Sequence, residues 1–301
     1  TKVDYPFNKY DQTMVANFGF GGMENITATT LSDSELEYAK YRLTRGLVED
    51  LISHELAHSW FGNLVTCRNW AELWLNESFA TYMEAAFDEK IYSREIYDYK
   101  IQSDADVYFA YAASRKNKQH SLFNRSADPK NDDSMFTPVT YQKGSAVIHT
   151  LREEIGDDAF WKGINLYLER NKFANVETKD LQKAMEETSG NELQWFFDQW
   201  VYGSAYPVLK IQQTYNKTNQ QLILNIRQTQ TGNQYTPKVF TLPLELKISM
   251  SKRNKTEKIY LNEREQTFHI PVGEKPYNLE FDKKNKIPLK DLSLSKLTII
   301  E

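Results

Sequence analysis

The spacing of apolar residues changes once along the 301-residue chain, near residue 206, and this change limits the fold more than any other feature. Before it, apolar residues recur at the three- and four-residue intervals of amphipathic helices. After "SAYPVLK" they alternate with polar residues, as in half-buried strands. We therefore expect an α+β protein with a mainly helical domain at 1–205 and an all-β domain at 206–301.

Several segments of the first part have the pattern of helices. They run from about Thr44 to Phe61, from Trp70 to Phe87, from Thr140 to Gly156, and over "GDDAFWKGINLYLER", "TKDLQKAMEETSG" and "NELQWFFDQWVYG". Thr178 and Asn191 are placed as N-caps of the last two helices, and Gly190 and Gly203 as their ends. Further upstream, "MVANFGF" and "ENITATTL" have the pattern of strands that flank a Gly-rich turn.

The second part predicts six short strands separated by turns rich in Asn, Gly and Lys. The strands are "LKIQQTYN", "QQLILNIRQTQ", "FTLPLELKISM", "EKIYLNE", "QTFHIPV" and "YNLEFD". Short strands at this close spacing are typical of a small β-sandwich.

Composition excludes several classes of function. The net charge is −4 with Lys and Arg scattered along the chain, so no basic surface for nucleic acid is expected. No apolar run approaches the roughly 20 residues of a membrane helix, so we predict no transmembrane segment. Cys67 is the single cysteine, which excludes an internal disulfide and leaves cytoplasmic and periplasmic or secreted locations equally open. We expect it to be buried filler rather than a reactive thiol.

The segment "VEDLISHELAHSWFGN" places His54 and His58 four residues apart, on one face of a predicted helix. Two imidazoles in this arrangement can bind one zinc ion, with Glu55 beside the open coordination position. With five histidines in the chain, a chance match to this pattern is expected in roughly one chain in a hundred. A catalytic zinc site usually has a third protein ligand, and a carboxylate on a nearby element would supply it.

The next predicted helix, "NWAELWLNESFATYME", carries three candidates for the third ligand. These are Glu72, Glu77 and Glu84, and spacing alone does not choose among them. Eighteen residues separate His58 from Glu77.

The combination of "HELAH", an 18-residue gap and "NES" resembles the zinc aminopeptidases of the aminopeptidase N and leukotriene A hydrolase type, which are gluzincin metallopeptidases. "GGMEN" resembles the exopeptidase loop of this family, and "YQKG" resembles the segment with its catalytic tyrosine. The resemblance extends from about Tyr5 to Pro207. It implies a thermolysin-like, mainly helical zinc peptidase domain, followed in many members by a β-sandwich. Ser78 departs from the family pattern, which usually has glycine there.

The resemblance implies one zinc ion per chain, held by His54, His58 and Glu77. Glu55 would then be the general base that takes a proton from the attacking water. Tyr141 would be the second catalytic residue, donating a hydrogen bond to the oxyanion that develops on the peptide carbonyl.

The resemblance also implies a substrate-binding role for Gly21, Gly22, Met23, Glu24 and Asn25. The Glu24 carboxylate would pair with the free α-amino group of a peptide. The two glycines would let the substrate backbone approach closely, since they carry no side chain. The expected substrates are therefore peptides with a free N-terminus.

Other residues near the predicted site have more than one interpretation. Glu84 lies seven residues beyond Glu77, on the same helix face, where it would either orient a ligand histidine or form an ordinary ion pair. We expect four aromatic residues to fill the core between the two zinc-bearing helices. These are Trp60, Phe61, Trp74 and Phe79.

Full members of the family begin with a large β-rich domain, and many end with a helical one, so we expect this chain to be part of a longer protein. Its first residue is Thr1 rather than Met. The leading prediction is a zinc aminopeptidase. The alternatives are an endopeptidase with the same zinc core and a peptide-binding fragment with weak or no catalysis. Peptides with blocked amines distinguish the first two.

Overall fold

The computed structural model of the protein describes residues 1–41, 45–115 and 119–301. The chain divides into two compact units. The first contains Thr1–Ser114 and His120–Tyr202, and the second contains Gly203–Glu301 with Arg115–Gln119. The helices lie in the first unit, and the second is built of strands.

In the described part of the first unit, the helices occupy both predicted and unpredicted segments. They are α1 (Ser34–Ala39), α2 (Arg45–Ala57), α3 (Trp74–Ile91), α4 (Arg94–Arg115), α5 (Gly144–Ile155), α6 (Asp157–Arg170), α7 (Thr178–Ser189) and α8 (Gln194–Trp200). The six predicted helices are confirmed, whereas α1 and α4 were not predicted. Thr44, where the first helix was expected to begin, lies outside the described residues.

The prediction that the first helix reaches Phe61 was wrong, because α2 ends at Ala57. Beyond it the chain forms a wide turn in which the N–H groups of Asn63, Leu64 and Val65 bond to carbonyls five residues earlier. Gly62 makes this turn possible with a φ of 144°, a conformation that other residues rarely adopt.

Two other helices begin differently from the prediction. Trp70–Glu72 is a separate 3₁₀ turn, and α3 starts after it at Trp74. The Asn69 side chain accepts from the Ala71 N–H and fixes that turn. The segment Val139–Lys143 is a π-helical turn that leads directly into α5. Such turns are rare and often occur at functional sites.

The two predicted N-caps were wrong. Glu177 caps α7 through a capping box with Asp180. The Thr178 hydroxyl instead donates to Glu72 Oε2 at 2.6 Å and accepts from the Trp74 indole at 3.0 Å, both in the core. Helix α8 has Leu193 at its N-cap position, so Asn191 lies outside it.

Helix α4 was missed because its buried face consists mainly of Tyr and Ala, with few branched aliphatic residues. That face repeats at intervals of three and four residues through Tyr97, Ile101, Ala105, Tyr108 and Ala112, each at most 3% exposed. The remaining positions are mostly polar. The periodicity was therefore present, but with weak hydrophobic contrast.

A three-stranded sheet lies before the helices, with order β1-β3-β2. Strands β1 (Asp11–Val15), β2 (Gly22–Met23) and β3 (Ala28–Ser32) form it, β1 parallel and β2 antiparallel to β3. The strand predicted over "MVANFGF" was therefore wrong beyond Val15, where the chain turns with Asn17 at a φ of 56°. Two short strands, β4 (Val65–Cys67) and β5 (Ala174–Val176), pair in parallel elsewhere in the unit.

The second unit contains two sheets, and its six predicted strands are confirmed. They are β6 (Val208–Asn216), β7 (Gln221–Gln228), β8 (Leu242–Met250), β9 (Asn254–Leu261), β10 (Glu265–Pro271) and β11 (Pro276–Phe281). One sheet has the order β10-β7-β6 and the other β11-β8-β9. The short strands β12 (Asp291–Leu294) and β13 (Thr298–Ile300) were not predicted, and both run parallel to β6.

The predicted aromatic core between α2 and α3 is confirmed for three of its four members. Phe61 and Phe79 stack at 4.6 Å between ring centroids, and Trp74 lies 6.1 Å from Phe79. Trp60 is half-buried instead, and its indole N–H donates to the Val3 carbonyl at 3.0 Å. Among the described helices, none combines the length and the apolar character needed to cross a membrane.

Candidate metal centre

Helices α2 and α3 bring His54, His58 and Glu77 together at one buried point. His54 Nε2 lies 3.2 Å from His58 Nε2, and Glu77 Oε2 lies 3.5 Å from the first nitrogen and 3.4 Å from the second. His54 and Glu77 are within α2 and α3, and His58 is in the first turn after α2, where its N–H still bonds to the His54 carbonyl. All three residues are less than 10% exposed.

The spacing of these three atoms fits a zinc ion. Ligands bound tetrahedrally at about 2.0–2.1 Å from zinc are separated by about 3.3 Å, close to the three separations in this structure. A second group of potential ligands, Glu24, Glu55 and His58, also lies nearby. In this group Glu24 Oε1 lies 4.0 Å from His58 Nδ1, and that nitrogen already donates to the Phe61 carbonyl at 2.9 Å. That bond leaves His58 Nε2 as the available ligand atom.

His54 is oriented in a similar way by Glu84. Its Nδ1 lies 2.8 Å from Glu84 Oε1, which directs Nε2 towards Glu77. A carboxylate or carbonyl that accepts from the second nitrogen of a ligand histidine fixes both its tautomer and its ring orientation. Both interpretations that the sequence left open for Glu84 hold in the structure, because Oε1 contacts a candidate ligand and Oε2 forms an ion pair with Lys100.

Glu84 is itself held by a buried cluster of charges. Lys100 of α4 places Nζ 2.6 Å from Glu84 Oε2 and 2.8 Å from Asp50 Oδ2. The Asp104 carboxyl is 4% exposed, and burial raises its pKa to about 8. This cluster extends from His54 through Glu84 to α4, the long helix that the sequence did not predict.

The acidic neighbours make the centre strongly attractive to positive charge. Burial alone would lower the pKa of His54, but hydrogen bonds and charges from Glu77 and Glu84 raise it to about 10. Burial alone would raise the pKa of Glu77, yet the charge of His58 and hydrogen bonds from both histidines hold it well below its usual range. A carboxylate that stays ionised at this depth is suited to bind a cation.

Glu55 lies beside the three candidate ligands, in a very confined space. It is 4% exposed, and burial raises the pKa of its carboxyl to about 7, with Glu24 and Glu77 adding to the effect. Its Oε2 has no hydrogen-bond partner among the described residues. A Cβ at Gly22 would come within 2.1 Å of Glu55 Oε1, so only glycine at position 22 leaves room for this carboxylate.

The loop Gly21–Asn25 reaches the centre through strand β2, which lies at the edge of its sheet. Glu24 Oε1 is 4.0 Å from His58 Nδ1, and Asn63 Nδ2 donates to the Glu24 carbonyl at 2.8 Å. Asn25 instead supports the sheet, because its side chain donates to Thr30 Oγ1 at 3.0 Å. The loop thus presents a carboxylate and an edge strand next to the candidate metal ligands.

Tyr141 approaches from the π-helical turn before α5. Its ring is nearly parallel to that of His54, with 6.1 Å between centroids. Burial and the charge of Glu77 raise the pKa of Tyr141 far above its usual range, so its hydroxyl keeps its proton and remains a hydrogen-bond donor. Every residue named as catalytic or metal-binding from the sequence therefore lies in one cluster.

Two residues at this centre were missed by the sequence interpretation. Lys100 lies on a helix that was not predicted, so nothing indicated that it faces Glu84. Ser78 was noted only as a departure from the family pattern, although its hydroxyl donates to the Thr140 carbonyl at 2.6 Å. No signal in a single sequence identifies either contact, because both join segments far apart in the chain.

Comparison with known proteins shows which family the sequence belongs to. Residues 1–200 match the peptidase family M1 domain. Aminopeptidase N of Streptomyces lividans is 37% identical over 212 residues, which are 68% of this chain and 24% of that protein. Puromycin-sensitive aminopeptidase of Caenorhabditis elegans is 28% identical over 282 residues, which are 89% of this chain and 29% of that protein.

A solved structure shows the same fold. Legionella pneumophila aminopeptidase A, determined in complex with aspartic acid, superposes with a TM-score of 0.71 and 18% identity over 94% of this chain and 31% of that one. The two structures share the fold, with its combination of helices and strands. The chain spans about a quarter of the length of the relatives most similar in sequence. With two thirds of its residues matched by the family model, the chain belongs to peptidase family M1.

Proposed function

We propose that this chain is the catalytic part of a zinc aminopeptidase that removes N-terminal residues from peptides. The main support for this proposal is that side-chain atoms of His54, His58 and Glu77 lie within 3.5 Å of one another. Glu55 and Glu24 lie beside them. Family membership supports it, since several relatives are named as aminopeptidases.

His54, His58 and Glu77 would hold the zinc ion. A bound zinc supplies a Lewis acid that makes water a nucleophile near neutral pH and polarises the peptide carbonyl. Glu55 takes the proton from the attacking water and passes it to the departing amine. Its raised pKa suits both steps, because a base that must later act as an acid works best with a pKa near the working pH.

Tyr141 donates a hydrogen bond to the oxygen on which negative charge develops. The hydroxyl stays protonated in its buried position and faces the candidate ligands. A fixed donor of this kind contributes about 3 kcal/mol to stabilising the transition state.

Glu24 pairs with the free α-amino group of the substrate and so restricts cleavage to chain ends. The edge strand β2 binds the peptide backbone as an added strand, with Gly21, Gly22, Met23 and Asn25 forming the rest of this surface. Gly22 serves two purposes, because it also leaves space for Glu55.

We further infer that residues 1–205 form a thermolysin-like domain and that residues 206–301 form a β-sandwich domain. The helical first unit and the two sheets of the second support this division. The low share of each relative that the chain covers supports further domains in the whole protein. A β-rich domain before this chain and a helical domain after it would add further contacts to the bound substrate.

Hydrolysis of amino-acid anilides with free and acetylated amines tests the proposal. We expect one zinc per chain and cleavage of the free amine only. Cleavage of both substrates would indicate an endopeptidase with the same zinc core. Bound zinc without cleavage of either would mean that the chain alone is a peptide-binding fragment.

Replacing Glu24 with Gln should lower kcat/KM for free-amine substrates by about 10²-fold, because one partner of a desolvated charge pair is lost. The zinc content of the variant should equal that of the wild type. Glu37→Gln provides a matched control, since Glu37 pairs with Lys40 on the exposed surface of α1. Unchanged kcat/KM for the free-amine substrate in Glu24→Gln would contradict the amine-binding role.

Replacing Glu84 with Gln should weaken zinc binding by about 10- to 100-fold, the usual effect of losing the group that orients a ligand histidine. The exposed Glu95 of α4 offers a control, as Glu95→Gln. Competition with a chromophoric chelator measures both affinities. Unchanged zinc affinity in Glu84→Gln would show that the contact with His54 is not needed for metal binding.

A further inference from the structure

The hydroxyl of Ser78 joins the two segments that carry Glu77 and Tyr141. Ser78 follows Glu77 in α3 and is fully buried. Its Oγ donates to the Thr140 carbonyl at 2.6 Å, across 62 residues of sequence. The acceptor belongs to the residue immediately before Tyr141, so this bond lies one peptide unit from the proposed oxyanion donor.

The segment that receives this bond has an unusual backbone. Val139–Lys143 is a π-helical turn, in which the Lys143 N–H bonds to the Pro138 carbonyl five residues earlier. The Thr140 side chain also bonds inward, donating to the Met135 carbonyl. A widened turn is less regular than an α-helix, so its position depends on contacts with neighbouring elements.

Packing on the other side of Ser78 limits where this turn can lie. A Cβ at Gly144 would come within 1.8 Å of Ser78 Oγ and 2.3 Å of its Cβ. Gly144, the first residue of α5, therefore packs directly on Ser78. Ser78 thus contacts this part of the chain twice, by packing at Gly144 and by its hydrogen bond to the Thr140 carbonyl. Both contacts place Tyr141 relative to the helix that supplies Glu77.

We propose that Ser78 is a positioning residue for Tyr141, holding its hydroxyl at the place where the oxyanion develops. This inference rests on the proposed function, because it requires Tyr141 to contact that oxygen. Ser78 is buried and acts through the Thr140 carbonyl, without contact with the substrate. Displacements of about 1 Å at a reacting group can cost about 10²-fold in rate, so a weakened tether has a measurable effect.

The test is a double-mutant cycle between Ser78→Ala and Tyr141→Phe, made in the zinc-loaded chain. Alanine keeps the Cβ that packs on Gly144 and removes only the hydroxyl. The readout is binding of an α-aminoalkylphosphonic acid, a tetrahedral analogue with a free amine, by calorimetry. This measurement reports on the oxyanion contact even where turnover is slow. Thr150→Ala is the control, since that buried hydroxyl bonds to the Ala146 carbonyl within its own helix.

We expect Ser78→Ala to weaken analogue binding by about 5- to 50-fold, below the limit set by a full 1 Å displacement. Added to Tyr141→Phe, it should cause no further loss, because the two residues act as one unit. Its zinc affinity should equal that of the wild type, and thermal unfolding should show a folded protein.

Three other results of this double-mutant cycle would overturn the inference. Unchanged binding in Ser78→Ala, with weaker binding in Tyr141→Phe, would overturn the inference and leave the role of Tyr141 intact. Additive losses, or a fall in zinc affinity, would show that Ser78 acts through another group such as Glu77, and would also overturn it. Unchanged binding in Tyr141→Phe would remove the proposed oxyanion contact, and the inference would fall with it.

Discussion

Replacing Glu55 with Gln is expected to lower kcat by about 10²- to 10⁴-fold while zinc remains bound, since a positioned general base contributes about that much. The amide has nearly the same shape as the carboxylate and still fits beside Gly22, but it cannot take a proton from water. Kinetics with a free-amine anilide and metal analysis of the same sample measure both quantities.

Glu49→Gln, on the same helix, is the matched control for this experiment. Glu49 accepts from the Tyr92 hydroxyl, and it lies outside the cluster of candidate ligands. We expect its kcat to stay close to that of the wild type. Near-normal turnover in Glu55→Gln would rule out Glu55 as the base.

The second large effect is expected from Glu77→Gln. This substitution removes a negatively charged ligand. The affinity for zinc should therefore fall further than the roughly 10- to 100-fold expected for Glu84→Gln, which changes a residue that only orients a ligand. The metal-free chain should also be less stable near neutral pH. The pKa of Glu77 is held below its usual range, so its stabilising effect is present above the pKa of the unfolded chain and is lost only on acidification. Loss of one partner from a buried ion pair costs about 3–5 kcal/mol.

Glu72→Gln tests whether Glu77 or Glu72 is the third zinc ligand. Sequence spacing left Glu72 as a competitor, but its carboxylate accepts from the Thr178 hydroxyl at 2.6 Å. We expect Glu72→Gln to bind zinc as the wild type does. Equilibrium dialysis and thermal unfolding, each with and without zinc, compare the two variants. Zinc lost from Glu72→Gln and retained by Glu77→Gln would reverse the assignment.

Much of the candidate site could be predicted because its residues follow local rules. His54 and His58 share a helix face by their spacing, and the next helix had to supply a carboxylate. The choice of Glu77 needed the resemblance to a family, because Glu72 and Glu84 have the same local properties. The period-two segments likewise identified β6 to β11, since alternating burial leaves a clear trace in sequence.

The unpredicted parts depend on long-range contacts. Helix α4 packs through small and aromatic residues, so its hydrophobic signal was weak, and the contact of Lys100 with Glu84 was not visible. Strands β12 and β13 are short, and pairing to β6 stabilises them. The N-cap of α7 was misjudged because a tertiary hydrogen bond outweighed the local preference of Thr178 for a cap.

In the candidate site, too, some features depend on long-range contacts that the sequence does not reveal. That Gly22 leaves space for Glu55 follows from the approach of a strand to a helix, which no local pattern encodes. The bond between Ser78 and the turn before Tyr141 likewise depends on how α3 meets α5. Sequence therefore indicated which groups perform the chemistry, whereas the structure identifies the residues that hold them.

We propose that His54, His58 and Glu77 bind one zinc ion, and zinc K-edge X-ray absorption of the purified chain tests this assignment most directly. We predict one zinc per chain, surrounded by nitrogen and oxygen atoms at about 2.0–2.2 Å, with two imidazole signatures. A sulfur atom at about 2.3 Å would point to Cys67 instead. That result, or a chain that binds no zinc, would contradict the assignment of His54, His58 and Glu77 as ligands.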